Sequence, residues 1–259
     1  MPELPEVEKF RSIINETSIN KEIGDIYYRD DYVLKNPKKK FKDALINRKI
    51  DSTIRHGKYL FLKINSNHLL FHFGMSGSIE YFTEKDEEPE YSKVIFKFLS
   101  DGFLSYISIR KFGKVQIIED LSSYIKEIDL GPDALKVSFE DFKKIMNRKR
   151  RSYAKTALMD QSAVSGIGNL YSDEILFQAH IYPKRKISDL EDSEISKLFK
   201  IMKDVLRDVI SYKKELEGYP KNYIVPHRSK EDKCPICNSQ IEKLKISSRH
   251  GYYCPKCQK

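Results

Sequence analysis

Tyr59-Leu-Phe-Leu-Lys-Ile-Asn-Ser-Asn-His-Leu-Leu-Phe-His-Phe73 holds two apolar runs, Tyr59–Ile64 and His68–Phe73, broken by a polar Asn-Ser-Asn turn. Short, β-branched and aromatic runs separated by turn residues read as strands. The same pattern returns in Ser92–Phe98 and Phe103–Ile109, and the whole stretch from about Ile23 to Ile118 is strand-like. Strands at such short intervals predict an all-β sandwich or barrel. Upstream, Pro5 suits a first helical turn, Glu6 and Glu8 complement the positive end of a helix dipole, and Val7, Phe10 and Ile14 share one face. A short amphipathic helix therefore leads into the β region.

Leu130-Gly-Pro-Asp133 breaks the pattern, and beyond it the period becomes helical. Ser138-Phe-Glu-Asp141 and Ser188–Ser193 carry helix-start chemistry. Ile195, Leu198, Phe199, Met202, Val205, Leu206 and Val209 then form one apolar face. All four cysteines of the chain are near its end, as Cys234-Pro-Ile-Cys237 and Cys254-Pro-Lys-Cys257. Two such knuckles at this separation are the zinc-ribbon pattern, with four thiolates closing a tetrahedral structural site. Ile241, Leu244 and Ile246 alternate with charged residues between the knuckles, as in a β-hairpin. The predicted fold class is a multi-domain α+β chain. Residues 1–130 form a β-sandwich domain with a leading helix, 131–137 a linker, 138–228 a helical domain, and 229–259 the zinc ribbon.

The chain has 259 residues, with 47 Lys+Arg against 38 Asp+Glu and a formal net charge of +9. Charge of this sign permits a polyanionic partner without requiring one. No apolar run reaches the length of a membrane span, and Met1-Pro-Glu-Leu-Pro-Glu6 has no apolar stretch of the kind a secretory signal needs. The expected setting is cytoplasmic, without membrane association.

The leader Met1-Pro-Glu-Leu-Pro-Glu-Val-Glu8 closely resembles the start of the formamidopyrimidine-DNA glycosylase/endonuclease VIII family. The resemblance continues in family order through His56-Gly-Lys-Tyr-Leu60, His72-Phe-Gly-Met-Ser-Gly77, Arg110-Lys-Phe-Gly113, Leu130-Gly-Pro-Asp133, Asp160-Gln161, Ser165-Gly-Ile-Gly-Asn-Leu-Tyr-Ser-Asp-Glu174 and Cys254-Pro-Lys-Cys-Gln258. It spans essentially the whole chain and makes the helical part a helix-two-turns-helix domain. It implies a bifunctional DNA glycosylase and abasic-site lyase of base-excision repair, acting as a monomer on damaged double-stranded DNA and gathered on the nucleoid by that binding. It implies one structural Zn2+ on Cys234, Cys237, Cys254 and Cys257, and no organic cofactor.

The resemblance assigns roles residue by residue. Pro2, once Met1 is removed, offers a secondary amine that can attack the sugar C1′ and form an iminium. With Met1 retained, that nitrogen is an amide and cannot attack. Glu3 is the general acid/base, and Lys58 serves catalysis through a phosphate or base contact beside the lesion. A base held outside the stack leaves a void. Met75 and Phe112 match the residues that wedge into it, and Arg110 the one that pairs with the orphaned base. His72, Lys155, Asn169 and Arg249 are carried over as DNA contacts. Taken without the motifs, Pro2 would restrain the N-terminus, Glu3 would complement a helix dipole, Met75 and Phe112 would be core, and the lysines would be solvated.

Three departures stand out. Ser108 occupies the place of a usual Asp two residues before Arg110. His250-Gly251 replaces small hydroxyl residues after Arg249. The Gly/Thr-rich stretch that caps a flipped purine is missing between Ile210 and Cys234. The shortened loop predicts activity on formamidopyrimidines and oxidised pyrimidines with weaker 8-oxoguanine excision. The competing readings are a catalytically silent damaged-DNA-binding protein on the same scaffold and a zinc-ribbon transcription factor. Pro2, Glu3 and Lys58 favour the enzyme over the first, and the Pro-Glu leader is unexplained by the second.

Overall fold

The computed structural model describes residues 1–110, 112–215, 218–229 and 231–259, with the side chains of 213–215 left aside. The chain divides into two compact units: Met1–Pro2 with Glu6–Ile128, and Glu3–Pro5 with Asp129–Lys259.

The first unit is a sandwich of two antiparallel sheets. Four strands, β3 (Ser52–His56), β4 (Tyr59–Ile64), β5 (Asn67–His72) and β9 (Lys114–Ile118), pair in that order. The other sheet runs β2 (Arg48–Lys49), β1 (Glu22–Tyr28), β7 (Ser92–Phe98), β8 (Phe103–Ser108) and β6 (Gly77–Phe82). Alternation sends every second side chain inward. Leu60, Leu62, Leu69, Phe71 and Val115 meet Ile23, Val94, Phe96, Leu104 and Tyr106 in one buried cluster. The Phe71 ring lies 5.9 Å from Phe96 and 5.5 Å from Tyr106. Helix α1 (Leu4–Thr17) adds Val7 and Ile14 to that core and packs Phe10 against it.

Two helices of this unit were not foreseen. In α2 (Lys38–Leu45) only Phe41 and Leu45 are buried, one i,i+4 pair among lysines, too little for a periodic signal. In α3 (Leu121–Glu127), Asp120 caps the start by accepting from the Ser123 N–H. Its Tyr124 joins Phe61, Leu70 and Ile118 in a small cluster on the face of the four-stranded sheet opposite the main core.

The second unit contains α4 (Phe139–Arg148), α5 (Ala154–Met159), α6 (Asn169–Ala179), α7 (Asp192–Glu215) and the hairpin β10 (Glu242–Ile246)–β11 (Arg249–Tyr253). Ser138 caps α4 through the Asp141 N–H, as its sequence predicts. The 188–193 signal starts α7 only at Asp192; Ser188 sits in a short 3-10 turn before it. The expected face of α7 is seated in the core, with Phe199 at its edge. The segment expected as a linker is part of that core, where Ala134 and Val137 are buried. No helix among the described residues is long and apolar enough to cross a membrane.

Candidate nucleic-acid and catalytic site

In the first unit, register groups the candidates at one end of the four-stranded sheet. His72 pairs with Tyr59 on one side and Lys114 on the other, and Lys58 sits in the turn just before Tyr59. The Tyr59 and His72 rings are 4.7 Å apart. The Gly74 N–H points at His72 Nδ1 (3.4 Å), which places the imidazole proton on Nε2. Burial, and then the Lys114 and Lys58 ammonium groups, push the His72 imidazole down to about 4. It is neutral at pH 7, offering one N–H donor. Because this value lies below the ordinary one, the unfolded chain binds the proton first on acidification. The His72 contribution to stability is thus complete above about 6.5 and is lost as pH falls towards 4. An NMR titration of His72 should show no protonation between pH 7 and 5.5.

The wedge candidates are exposed. Met75 is 44% and Phe112 62% accessible, costly for large apolar side chains unless something covers them in use. Gly74 has φ +56, and a Cβ there would lie 2.4 Å from the Phe112 carbonyl carbon. Only glycine lets the turn that carries Met75 meet the backbone at Phe112 this closely. The Arg110 N–H donates to Ser76 Oγ (3.0 Å), and its guanidinium lies 5.6 Å from the Phe112 ring centre. Ser108, in place of the usual Asp, is buried at the end of β8. Lys111, between Arg110 and Phe112, lies outside the described residues.

In the second unit, Glu3 is 2% exposed and holds the start of α6. Its Oε2 accepts from the Gly168 N–H (2.6 Å) and the Tyr171 N–H (3.3 Å), and its Oε1 from the Leu170 N–H (2.8 Å). A carboxylate at a helix N-terminus satisfies orphan donors and complements the dipole. The helix served is α6, far along the chain. A Cβ on Gly168 would lie 2.4 Å from the Glu3 carboxyl carbon, so the approach depends on glycine there. The Leu4 N–H donates to Gly166 O (3.0 Å), and Gln161 bridges Met159, Gly166 and Ile167, fixing the turn before α6. Asn169 begins α6, half-buried.

Lys155 requires a correction. It is 0% exposed, and its ammonium donates to Asn169 O (3.1 Å), Ser172 Oγ (2.9 Å) and the Asp173 carboxylate. Three donors are thereby used, so none remains for a phosphate. The structure makes Lys155 a support beneath the α6 N-terminus, its side chain buried beside the pocket that Arg249 also borders. Arg228 donates to Asp173 Oδ2 (2.8 Å), and so does the Tyr252 N–H (3.2 Å). One fully buried carboxylate thus joins α5, α6, the segment before the ribbon and β11. Lys155→Ala strands Asp173 with one cation fewer, and urea unfolding should show a loss of about 3–5 kcal/mol.

Asp173, Arg228 and Glu174 were missed by sequence reasoning. The available signal was two adjacent acids directly before the apolar Ile175-Leu-Phe177, where buried charge demands partners. Glu174 accepts from Gln178 and from the Val225 N–H (2.9 Å), and burial pushes its carboxyl up to about 7. Of the shortened loop, Leu216, Glu217 and Lys230 lie outside the described residues. Its described part is tied to α6 by Val225 and Arg228.

Arg249 opens β11 and is exposed, bordering a pocket with Thr156, Ser247 and Ser248. A Cβ on Gly251 would sit 3.0 Å from Asp173 Oδ1 and 3.1 Å from Lys155 Cε, so a larger residue there must displace the buried pair slightly. The Sγ atoms of Cys234, Cys237, Cys254 and Cys257 lie within 4.8 Å of one another. Cys234–Cys257 and Cys237–Cys254 are 3.8 and 3.5 Å apart. Tetrahedral thiolates at a Zn–S distance of about 2.3 Å have edges of roughly 3.8 Å, so the donor set fits one zinc ion with no ligand position left open.

Three family models cover most of the chain. They are the formamidopyrimidine-DNA glycosylase N-terminal domain over residues 1–115, the formamidopyrimidine-DNA glycosylase H2TH domain over 130–218, and the zinc finger found in FPG and IleRS over 231–259. The formamidopyrimidine-DNA glycosylase of Listeria monocytogenes serovar 1/2a is 30% identical over the full length of both chains. That of Mycoplasma genitalium is 34% identical, over 100% of this chain and 96% of its own. This chain belongs to the formamidopyrimidine-DNA glycosylase family. Lactococcus lactis Fpg, solved with DNA containing an abasic site, matches with a TM-score of 0.88 at 26% identity over 99% of both chains. The wild-type Lactococcus lactis Fpg, solved with DNA containing N7-benzyl-Fapy-dG, matches with a TM-score of 0.87 at 27% identity over 100% of both. Family membership and the sulfur geometry agree on one structural Zn2+.

Proposed function

We propose that this chain is a bifunctional DNA glycosylase and abasic-site lyase acting on oxidised bases in duplex DNA. The observation that carries the reading is the Glu3 carboxylate, next in sequence to Pro2 and fixed by three backbone N–H groups at the start of α6. A proton-transfer group so held is prearranged beside the proposed nucleophile. The Pro2 nitrogen, freed of Met1, gives its lone pair to C1′. The glycosidic bond breaks with its electrons on the departing base, which takes up a proton. Glu3 takes the proton that the Pro2 nitrogen sheds and passes it to the ribose oxygen as the ring C–O bond at C1′ breaks, and the nitrogen lone pair closes the C1′ iminium. Loss of a C2′ proton then expels the 3′ phosphate by β-elimination, and the 5′ phosphate follows by δ-elimination. Lys58, His72, Asn169 and Arg249 hold the backbone around the lesion, while Met75, Arg110 and Phe112 fill the vacated space. Cytoplasmic placement on the nucleoid accords with four reduced thiols and a DNA substrate.

Borohydride trapping on abasic duplex DNA tests the reading. The wild type should form a covalent adduct, and Pro2→Gly much less. Lesion preference is read from base-release rates in defined duplexes. Formamidopyrimidines and oxidised pyrimidines should be released faster than 8-oxoguanine, and fast, selective 8-oxoguanine release would sink the loop argument.

A further inference from the structure

The outward face of the four-stranded sheet carries a row of side chains that runs from the motif residues His56, Tyr59 and His72 to Lys114, which no family motif quoted above includes. Register aligns His56 with Tyr59, Tyr59 with His72, and His72 with Lys114, across all four strands at one end of the sheet. Their neighbours Leu60, Phe71 and Val115 point into the sandwich core, so alternation places the row on the opposite face. Lys114 makes no ion pair among the described residues. Its ammonium instead donates to the Tyr124 hydroxyl of α3 and lies 5.5 Å from the Tyr59 ring centre and 5.2 Å from that of Tyr124. Two aromatic faces and one hydroxyl fix the cation in place without neutralising it. Two of its three N–H donors stay available. The row holds cationic or neutral groups and no carboxylate, and the Nε2–H of His72 belongs to it.

We propose that Lys114 is a further DNA-backbone contact of this chain, a cation positioned by Tyr59 and Tyr124 to take a phosphate beside the one His72 and Lys58 hold. The inference rests on the glycosylase reading above and adds one residue to it. It also explains why α3 is there, since Tyr124 orients the ammonium while the same side chain covers Phe61 and Leu70.

Affinity for a duplex with an uncleavable abasic analogue, measured across a salt series, decides the matter. Each phosphate contact contributes about 0.9 to the slope of log affinity against log salt. Lys114→Gln should lower that slope by about this amount and weaken binding roughly tenfold at physiological salt, and Lys114→Arg should restore most of both. Lys63→Gln, an exposed lysine at the far end of the same sheet face, should keep the wild-type slope. A thermal melt of each variant separates lost folding from lost contact, since a purely structural role moves the melt and leaves the slope. An unchanged slope in Lys114→Gln, or an equal drop in Lys63→Gln, overturns the proposal. Wild-type protein that fails to trap on abasic DNA overturns the glycosylase reading; wild-type protein that traps while Lys114→Gln keeps its slope overturns this inference alone.

Discussion

Glu3→Gln should lower single-turnover base release by about 10²–10⁴-fold, the usual worth of a positioned proton-transfer group. The amide keeps nearly the same shape, so the fold remains, but its NH2 cannot accept. It can satisfy the Leu170 N–H through its remaining oxygen. The Gly168 and Tyr171 N–H groups then face a donor where Oε2 stood. Buried donors left unmet cost about 1–3 kcal/mol, which urea unfolding reads separately from rate. Gly168→Ala supplies the complementary case. It keeps the acid but places a methyl 2.4 Å from the Glu3 carboxyl carbon, so the carboxylate must shift. Its rate should fall towards that of Glu3→Gln although every reacting group is present. Full activity in both variants would leave Glu3 as a helix cap and nothing more.

Zinc removal should act on duplex binding. The buried cluster under the ribbon is Phe177 of α6, Ile224, Cys234, Ile241 and Cys254, so the ribbon itself supplies three, two of them thiol ligands. So small a core does not hold a hairpin by itself, and structural zinc in such peptides contributes an apparent ~10–16 kcal/mol of binding. Without the ion, β10–β11 should come apart. The Tyr252 N–H then leaves Asp173, and Arg249 loses its fixed position. A chelator should release one zinc per chain and weaken duplex binding by about tenfold or more, with Cys254→Ala doing the same. The sandwich unit, which has its own core, should keep its β-sheet signal. Full duplex affinity after complete zinc release would remove the ribbon from the interface.

The sequence was most readable where the determining contacts are local. The strand Tyr59–Ile64 begins and ends where its apolar run does, the Ser138 cap is three residues from the N–H it serves, and the cysteine knuckles carry their own spacing. The family motifs also marked Met75, Arg110 and Phe112, which lie on two adjoining turns. What escaped depends on partners distant in the chain. Glu3 meets α6 more than a hundred and sixty residues away. The family motif makes Lys155 a DNA contact, and only the fold reveals Asp173, Ser172 and Asn169 already around its ammonium. Helices α2 and α3 escaped because each lends the cores too few apolar side chains to show a period.

The chemistry proposed for this chain depends above all on the N-terminal proline as nucleophile. Borohydride reduction of the wild-type protein on abasic DNA, followed by nuclease digestion and mass spectrometry of the N-terminal peptide, measures it directly. The expected product is a chain lacking Met1 with a reduced sugar remnant on the Pro2 nitrogen. An adduct confined to a lysine, or efficient trapping by protein that still carries Met1, would contradict it.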